Sequence, residues 1–572
     1  MKRLASFTAL AAVTLSASLA TAGPASADDQ QAQTRTYVVL YEQGASNADA
    51  RAAIAAAGGR VVSENAKLGV ATVEAPATGF ESQAADSAPL VGAAPNDPIG
   101  GVPADRKKAE RELERMSDAR AGAGPVAQGK LKAPFSPVAG DPLAELQWDM
   151  RMINATPDGS YRVERGSRDV RVGIIDTGVD GSHPDIAPNF NRELSRNFTT
   201  DDPVVDGACA EDPDGSCADP ADVDENGHGT HVAGTIGSPL NGIGIGGVAP
   251  GVELVNLRAG QDSGYFFLGP TLDALTYAGD NGIDVVNMSY YVDPWLFNCA
   301  ANPSDSPAEQ REQQLVIAAT QRALDYAFAR GVTLIAAAGN GNTDLGKPVE
   351  DPSSPDYPPG AERTRQIDNS CLNMPTEGRG VIAVTSVGPS ERKAYYSDYG
   401  VEQADVSAPG GDRRDFFGTD RHLSPTNTIL APYPEALGRA TGEIDSNGQP
   451  TTAFVVADCS AGPCSYYQYL QGTSMAAPHA AGVAALIVAR YGKRDKAHGG
   501  VTLDPATVES VLKRTARDTP CPAQNPLDYP DDVLGPEYTA LCEGDASFNG
   551  FYGEGIVDAA AAVGGKKPKK EK

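Results

Sequence analysis

Residues 472–486 read GTSMAAPHAAGVAAL. Gly472 permits a tight turn and Thr473 is an N-cap candidate, so Ser474 is expected in the first turn of a helix. Backbone N–H groups there lack intrahelical acceptors, and the helix dipole is positive. A serine hydroxyl so placed can attack a carbonyl while its own N–H receives the developing oxyanion. The alanines that follow, with Gly482, leave no bulky face and imply close packing on every side. A buried Ala-rich helix with a serine cap is the plainer alternative.

Two further segments weigh against that alternative. In VRVGIIDTGVD, residues 170–180, the apolar run Val172 to Ile175 reads as a buried strand that Gly178 breaks. Asp176 then stands at the carboxyl end of a strand, where open α/β sheets place ligands and catalytic groups. In NGHGTHVAGTIG, residues 226–237, His228 lies between two glycines at an expected helix start, and His231 follows on the same face. An Asp, a His and a Ser, each beside glycine and each at an element end, fit an activated nucleophile. Zinc is the competing reading of the two histidines, but there is no HExxH motif and no nearby thiolate.

With DTG, HGTHVAG and GTSMAAPH in that order, the chain resembles the subtilisin family of serine peptidases from about Gln147 to about Val563. The resemblance implies Ser474 as nucleophile, His228 as general base and acid, and Asp176 as the group that orients His228. His231 then has a structural role. After an expected strand at 332–337, the resemblance makes the Asn340 amide a second oxyanion donor beside the Ser474 N–H; without the resemblance, Gly339-Asn340 reads as turn punctuation. DVVNMSYYVD, residues 284–293, is similar to the family strand that binds extended peptide and walls the S1 pocket, so Ser289 and Tyr290 would offer backbone groups to substrate, with Gly339 lining the same groove. Tyr291 stands where many relatives carry glycine, and a ring there would reshape the S1 entrance. DSGYFF, residues 262–267, resembles the opposite wall: Ser263 and Gly264 would pair with the peptide backbone, and Phe266 would line an apolar subsite or be buried in the ordinary way.

The chain has 572 residues and a net charge of −28. The acidity falls after residue 139, which makes nucleic acid a poor partner. Residues 1–27 read as a secretory signal, with Lys2 and Arg3, an apolar core, and Ala25-Ser26-Ala27 as cleavage site. No later stretch is apolar enough for a membrane anchor. Eight cysteines agree with secretion, and short spacing suggests Cys209–Cys217, Cys459–Cys464 and Cys521–Cys542, leaving Cys299–Cys371. Carboxylates in DPDGSCADPADVDEN, residues 212–226, suffice for calcium, though they do not match an EF-hand and a plain acidic loop fits as well. The resemblance implies structural calcium with ligands unassigned, and no cofactor for catalysis.

Residues 28–139 read as a propeptide. A strand at 36–41, a helix at 47–57 opened by Asn47, and two strand-like runs within 60–75 resemble the small α+β inhibitory prodomain of secreted subtilases; 76–139 is expected to be helix and linker. A charged helical pattern at 101–121 has no assigned role. The peptidase domain is expected over 140–565, as a subtilisin-like three-layer α/β fold with a mostly parallel sheet, followed by a basic tail at 566–572. Residues 411–468 read as a surface insertion. The resulting expectation is a secreted serine endopeptidase acting on polypeptides through an acyl-enzyme, made as a precursor held inactive by its own propeptide. The alternatives are an exopeptidase releasing short N-terminal peptides and a non-catalytic binding protein on the same fold.

Overall fold

The computed structural model describes residues 34–96, 114, 141–210, 215–529 and 534–564. The expected signal, the linker at 122–140 and the basic tail lie outside the described residues, as does most of the charged stretch at 101–121.

The N-terminal part is a four-stranded antiparallel sheet of β1 (Thr34–Tyr41), β2 (Arg60–Asn65), β3 (Val70–Pro76) and β4 (Leu90–Pro95), in the order β2-β3-β1-β4. Helices α1 (Asn47–Ala56) and α2 (Phe80–Ala85) accompany it. Two details differ from the sequence reading. Ser46, not Asn47, caps α1, its hydroxyl accepting from the Asp49 N–H. The domain also runs past residue 75, because β4 pairs with β1 on the side away from β3. Leu90–Pro95 is mostly small residues and carries little strand signal of its own; the pairing with β1 supplies what propensity lacks.

The main body is built on a seven-stranded sheet. Its strands are β5 (Arg171–Ile175), β6 (Arg196–Asn197), β7 (Glu253–Arg258), β8 (Val285–Met288), β9 (Thr333–Ala337), β10 (Val381–Val387) and β11 (Val406–Pro409). All neighbouring pairs are parallel, in the order β11-β10-β9-β8-β5-β7-β6. Alternate side chains feed two cores, as the two-residue period of a strand requires. Val172, Ile174, Leu254, Val285 and Ile335 face the layer of α3 (His228–Gly237), α6 (Thr473–Tyr491) and α7 (Pro505–Thr515). Ile175, Val255, Leu257, Val286 and Leu334 face α4 (Leu268–Asp280) and α5 (Pro307–Phe328). This is a three-layer α/β fold of mostly parallel strands.

Helix α6 runs through the first core, and Thr473 to Val488 are all buried. Its small residues are what bring it there: a Cβ on Gly482 would lie 2.5 Å from Val248 Cβ. The N-terminal sheet packs on the opposite face, where Val38, Leu40, Leu68, Val70 and Ala94 join the core made by α4 and α5. Arg322 on α5 donates to the carbonyls of Tyr41 and Leu68, both at 2.9 Å.

Residues 411–468 are not a surface insertion. They carry β12 (Ile429–Pro432), β13 (Val455–Asp458) and β14 (Ser465–Leu470), an antiparallel sheet in the order β12-β14-β13. Tyr466, Tyr467 and Tyr469 are buried in it, so polar composition here hides an aromatic core. The four disulfides are Cys209–Cys217, Cys299–Cys371, Cys459–Cys464 and Cys521–Cys542. No described helix is long and apolar enough to cross a membrane.

Candidate active site

The carboxyl ends of β5, β8 and β9 and the first turns of α3 and α6 meet at one cleft of about 290 Å³. His228, Ser263, Gly264, Ser289, Tyr290, Gly339, Asn340 and Ser474 all line it. Asp176 lies behind His228, fully buried.

His228 Nδ1–H donates to Asp176 Oδ1 at 2.7 Å. Gly229 lets α3 come so close: a Cβ there would meet the Gly178 carbonyl oxygen at 2.0 Å. Asp224 holds the helix start, accepting from the N–H groups of Asn226, Gly227 and Thr230. His231 points away from the cleft, its Nε2 on the carbonyls of Ile429 and Gln468, and burial pushes it down to about 3. Its role is structural, and β12 and β14 are the elements it ties down.

Thr473 is not the cap of α6, which begins without a side-chain cap. Instead its N–H and its hydroxyl both donate to Asn340 Oδ1 at 2.9 Å. Thr473 Oγ1 also accepts from the Gly339 N–H at 3.1 Å. That fixes the Asn340 amide with Nδ2 turned toward Ser474.

Among the described residues, Glu114 of the N-terminal region enters the site. The Glu114 side chain accepts at Oε1 from Ser474 Oγ at 2.9 Å and from Asn340 Nδ2 at 3.3 Å. Its Oε2 lies 3.5 Å from His228 Nε2. Glu114 O also accepts from the Gln471 N–H at 3.2 Å. No direct Ser474–His228 hydrogen bond is present among the described residues; the carboxylate stands between them. Burial works against a charged His228, but the Asp176 and Glu114 carboxylates outweigh it and push the ring up to about 9. Both carboxylates favour the protonated ring, the form that cannot take a proton from Ser474.

The groove walls differ in part from expectation. Ser289 O accepts weakly from Ser474 Oγ at 3.4 Å, and Ser289 Oγ donates to Ser474 O at 3.1 Å. Tyr290 stacks on Phe266 with ring centroids 4.1 Å apart, so these two aromatics form one buried wall. The Tyr291 hydroxyl donates to Asp356. The Ser263 N–H is held by Asp206 Oδ1 at 2.7 Å and the Gly264 N–H by Gln261 O at 2.9 Å. Strand pairing through those two amides is therefore closed in this structure.

The chain belongs to the subtilase family.

The Subtilase family model matches residues 167–555. The chain is similar to subtilisin DY of Bacillus licheniformis, 29% identical over 394 residues, covering 69% of this chain and 90% of that one. It is also similar to the epidermin leader peptide-processing serine protease EpiP of Staphylococcus epidermidis, 27% identical over 365 residues, covering 63% and 68%. The crystal structure of EpiP from Staphylococcus aureus shares the fold, with a TM-score of 0.58 and 20% identity over 94% of this chain and 100% of that one. This subtilase is accordingly a subtilisin-like serine peptidase.

Two places bear on cations. At the first, Asp201, Asp219 and Asp262 converge on the buried Arg258 guanidinium, at 2.7 Å for Asp201 and 3.1 Å for Asp262. Of the three carboxylates, Asp219 alone belongs to the stretch 212–226. The second place is near the start of the main body. Asp141 Oδ1 accepts from the Gly242 N–H at 2.6 Å, and Asp185 Oδ2 from the Ile245 N–H and the Tyr467 hydroxyl at 3.0 and 3.1 Å. Asp141 Oδ2 and Asp185 Oδ1 are buried with no partner among the described residues. Burial pushes Asp185 up to about 8. Two orphaned carboxylate oxygens beside an Asn241 loop fit a hard cation such as calcium.

Proposed function

We propose that this subtilase is a secreted serine endopeptidase made as a precursor that its own N-terminal region holds inactive. Ser474 attacks a peptide carbonyl, His228 takes its proton and returns it to the leaving amine, and Asp176 holds the imidazole in place. The Ser474 N–H and Asn340 Nδ2 receive the oxyanion, and water releases the acyl-enzyme. The observation that carries this reading is a single oxygen, Glu114 Oε1. Ser474 Oγ and Asn340 Nδ2 both donate to it, beside an imidazole seated on Asp176. One of those donors, Asn340 Nδ2, is the amide assigned to the oxyanion, and the other is the nucleophile itself. The carboxylate also keeps the hydroxyl from His228, which supports latency in the same stroke.

Secretion is supported by the basic, apolar and small-residue order of residues 1–27 and by four disulfides. The reading includes one structural calcium, held by Asp141 and Asp185, which would neutralise two buried charges and take no part in the chemistry.

The test is to express the full chain beside Ser474→Ala and follow intact mass and digestion of an unfolded protein over time. The native chain should shorten between residues 76 and 145 and gain activity, while Ser474→Ala stays whole and inert. Both chains staying whole and inert would refute self-processing.

A further inference from the structure

The pocket beside Ser474 ends in acceptors. Its walls are the segments that leave β8 and β9, and Asn373, Thr376 and Asp398 complete the lining. Asn373 and Asp398 are each 2% exposed, so they form its deep end. Thr376 donates its hydroxyl proton to Ala337 O at 2.7 Å and so presents a lone pair. Asn373 Oδ1 is buried with no partner among the described residues. Asp398 Oδ1 accepts from the N–H groups of Gly341 and Thr343, at 2.9 and 2.6 Å. The Thr343 side chain is also hydrogen-bonded to this carboxylate. Asp398 Oδ2 lies against Gly339; a Cβ on that residue would be 2.1 Å away. Glu377 sits behind, accepting from the Asn373 N–H at 2.7 Å.

Among the described residues the buried Lys393 acts on Asp398, and burial pushes its ammonium down to about 7. It does not pair with Asp398: its Nζ donates to Asn342 Oδ1 at 2.6 Å and to Ala394 O at 3.1 Å. The deep end of the pocket therefore presents carboxyl, amide and hydroxyl lone pairs beside the Asn373 NH2, and burial pushes Asp398 up to about 7. A side chain that reaches it gains most if it brings donors and positive charge together.

We propose that Asp398, with Asn373, selects lysine or arginine at the substrate residue preceding the cleaved bond. The proposal rests on the peptidase reading above and names its substrate class. Residues 97–140, where processing of the precursor is expected, carry Arg106, Lys107, Lys108, Arg120, Lys130 and Lys132 among other basic positions. The new N-terminus should follow one of these.

The experiment uses the full chain after self-processing, with the released fragment left in the mixture. A peptide series identical except at the residue before the cleaved bond (Arg, Lys, Leu, Phe, Glu) gives kcat/KM for each. Wild type should favour Arg and Lys over Leu by ~30-fold or more, since the analogue leaves buried acceptors unpaired. Asp398→Asn keeps an acceptor for the Gly341 and Thr343 amides. It should cut the Arg/Leu ratio of kcat/KM at least ~10-fold. If Asp398 only props up the Asn340 turn, both peptides will slow equally and the ratio will not move, which overturns the assignment. Preference for Leu or Phe by wild type overturns it without any variant, and leaves the peptidase reading standing. If no peptide is cut and a fluorophosphonate fails to label Ser474, the peptidase reading fails and this one with it.

Discussion

Replacing Glu114 should unlock the site without undocking the N-terminal domain. The Ser474 Oγ bond at 2.9 Å is charge-assisted. The Asn340 bond at 3.3 Å is near the outer limit, and the His228 pair at 3.5 Å joins side chains that are each 13% exposed. A hydrogen bond to a charged group contributes about 1.5–3 kcal/mol, so Glu114→Ala should shift occupancy of the site by about 2–3 kcal/mol, or ~30–150-fold. The domain keeps its other ties: Arg322 to Tyr41 and Leu68, Asn65 to Asp273 and Thr276, and the Lys67–Asp280 pair. The assay is the initial rate at which a fluorophosphonate labels Ser474 in the unprocessed full chain, read by intact mass. Glu114→Ala should label ~30–150-fold faster than wild type at pH 7, with Glu114→Gln between them. His228 is raised to about 9, so its attraction to Glu114 is fully present below about 6.5 and is lost as pH climbs through about 9. Wild-type labelling should therefore accelerate between pH 7 and 9 more steeply than that of Glu114→Ala. Equal labelling rates for the two chains at every pH would refute the reasoning.

Asn340→Ala should lower kcat by about 10²–10³ with little change in KM, measured on the processed enzyme, because it removes one donor to the oxyanion. Calcium should raise Tm and a chelator lower it, with about 2.7 kcal/mol gained at a hundredfold excess over Kd. Asp185→Asn, which removes one of the two orphaned oxygens' charge, should abolish most of that response. Arg258→Met leaves three carboxylates converging on an apolar side chain and should cost about 3–5 kcal/mol in urea unfolding at neutral pH. Lowering the pH should return part of that loss, since burial already pushes Asp262 up to about 8.

Asp176, His228 and Ser474 each have a glycine within two residues at an expected element end, and such punctuation survives in one dimension; Asn340 follows from the family resemblance, its own surroundings reading as a turn. The parallel strands are legible as short apolar runs and three of the disulfides as short spacings; Cys299–Cys371, 72 residues apart, is the pair left over. Glu114 was not: its stretch reads as any charged helix, and only the tertiary path brings it beside Ser474, 360 residues away. Thr473 was misread as a cap because threonine before a helix is good cap chemistry, yet here its hydroxyl is claimed by Asn340. Residues 411–468 read as a surface insertion because they are rich in Gly, Pro and polar residues; the tyrosine rings buried in β14 are core. Asp398 gave no signal in sequence, since what matters is which backbone amides leave one of its oxygens uncommitted.

The core beneath α4 and α5 is owned jointly by two stretches of chain that processing would part. Val38, Leu40 and Val70 lie in it alongside Leu272, Leu275 and Leu315. Once the chain is cut, the larger piece keeps a shape whose interior was completed by a partner it has since lost. Its persistence then depends on how slowly it opens, not on how readily it could close again, because the half that helped to close it has been diluted away. A processed molecule that unfolds once would be spent, and its working life would be set at the moment of cleavage.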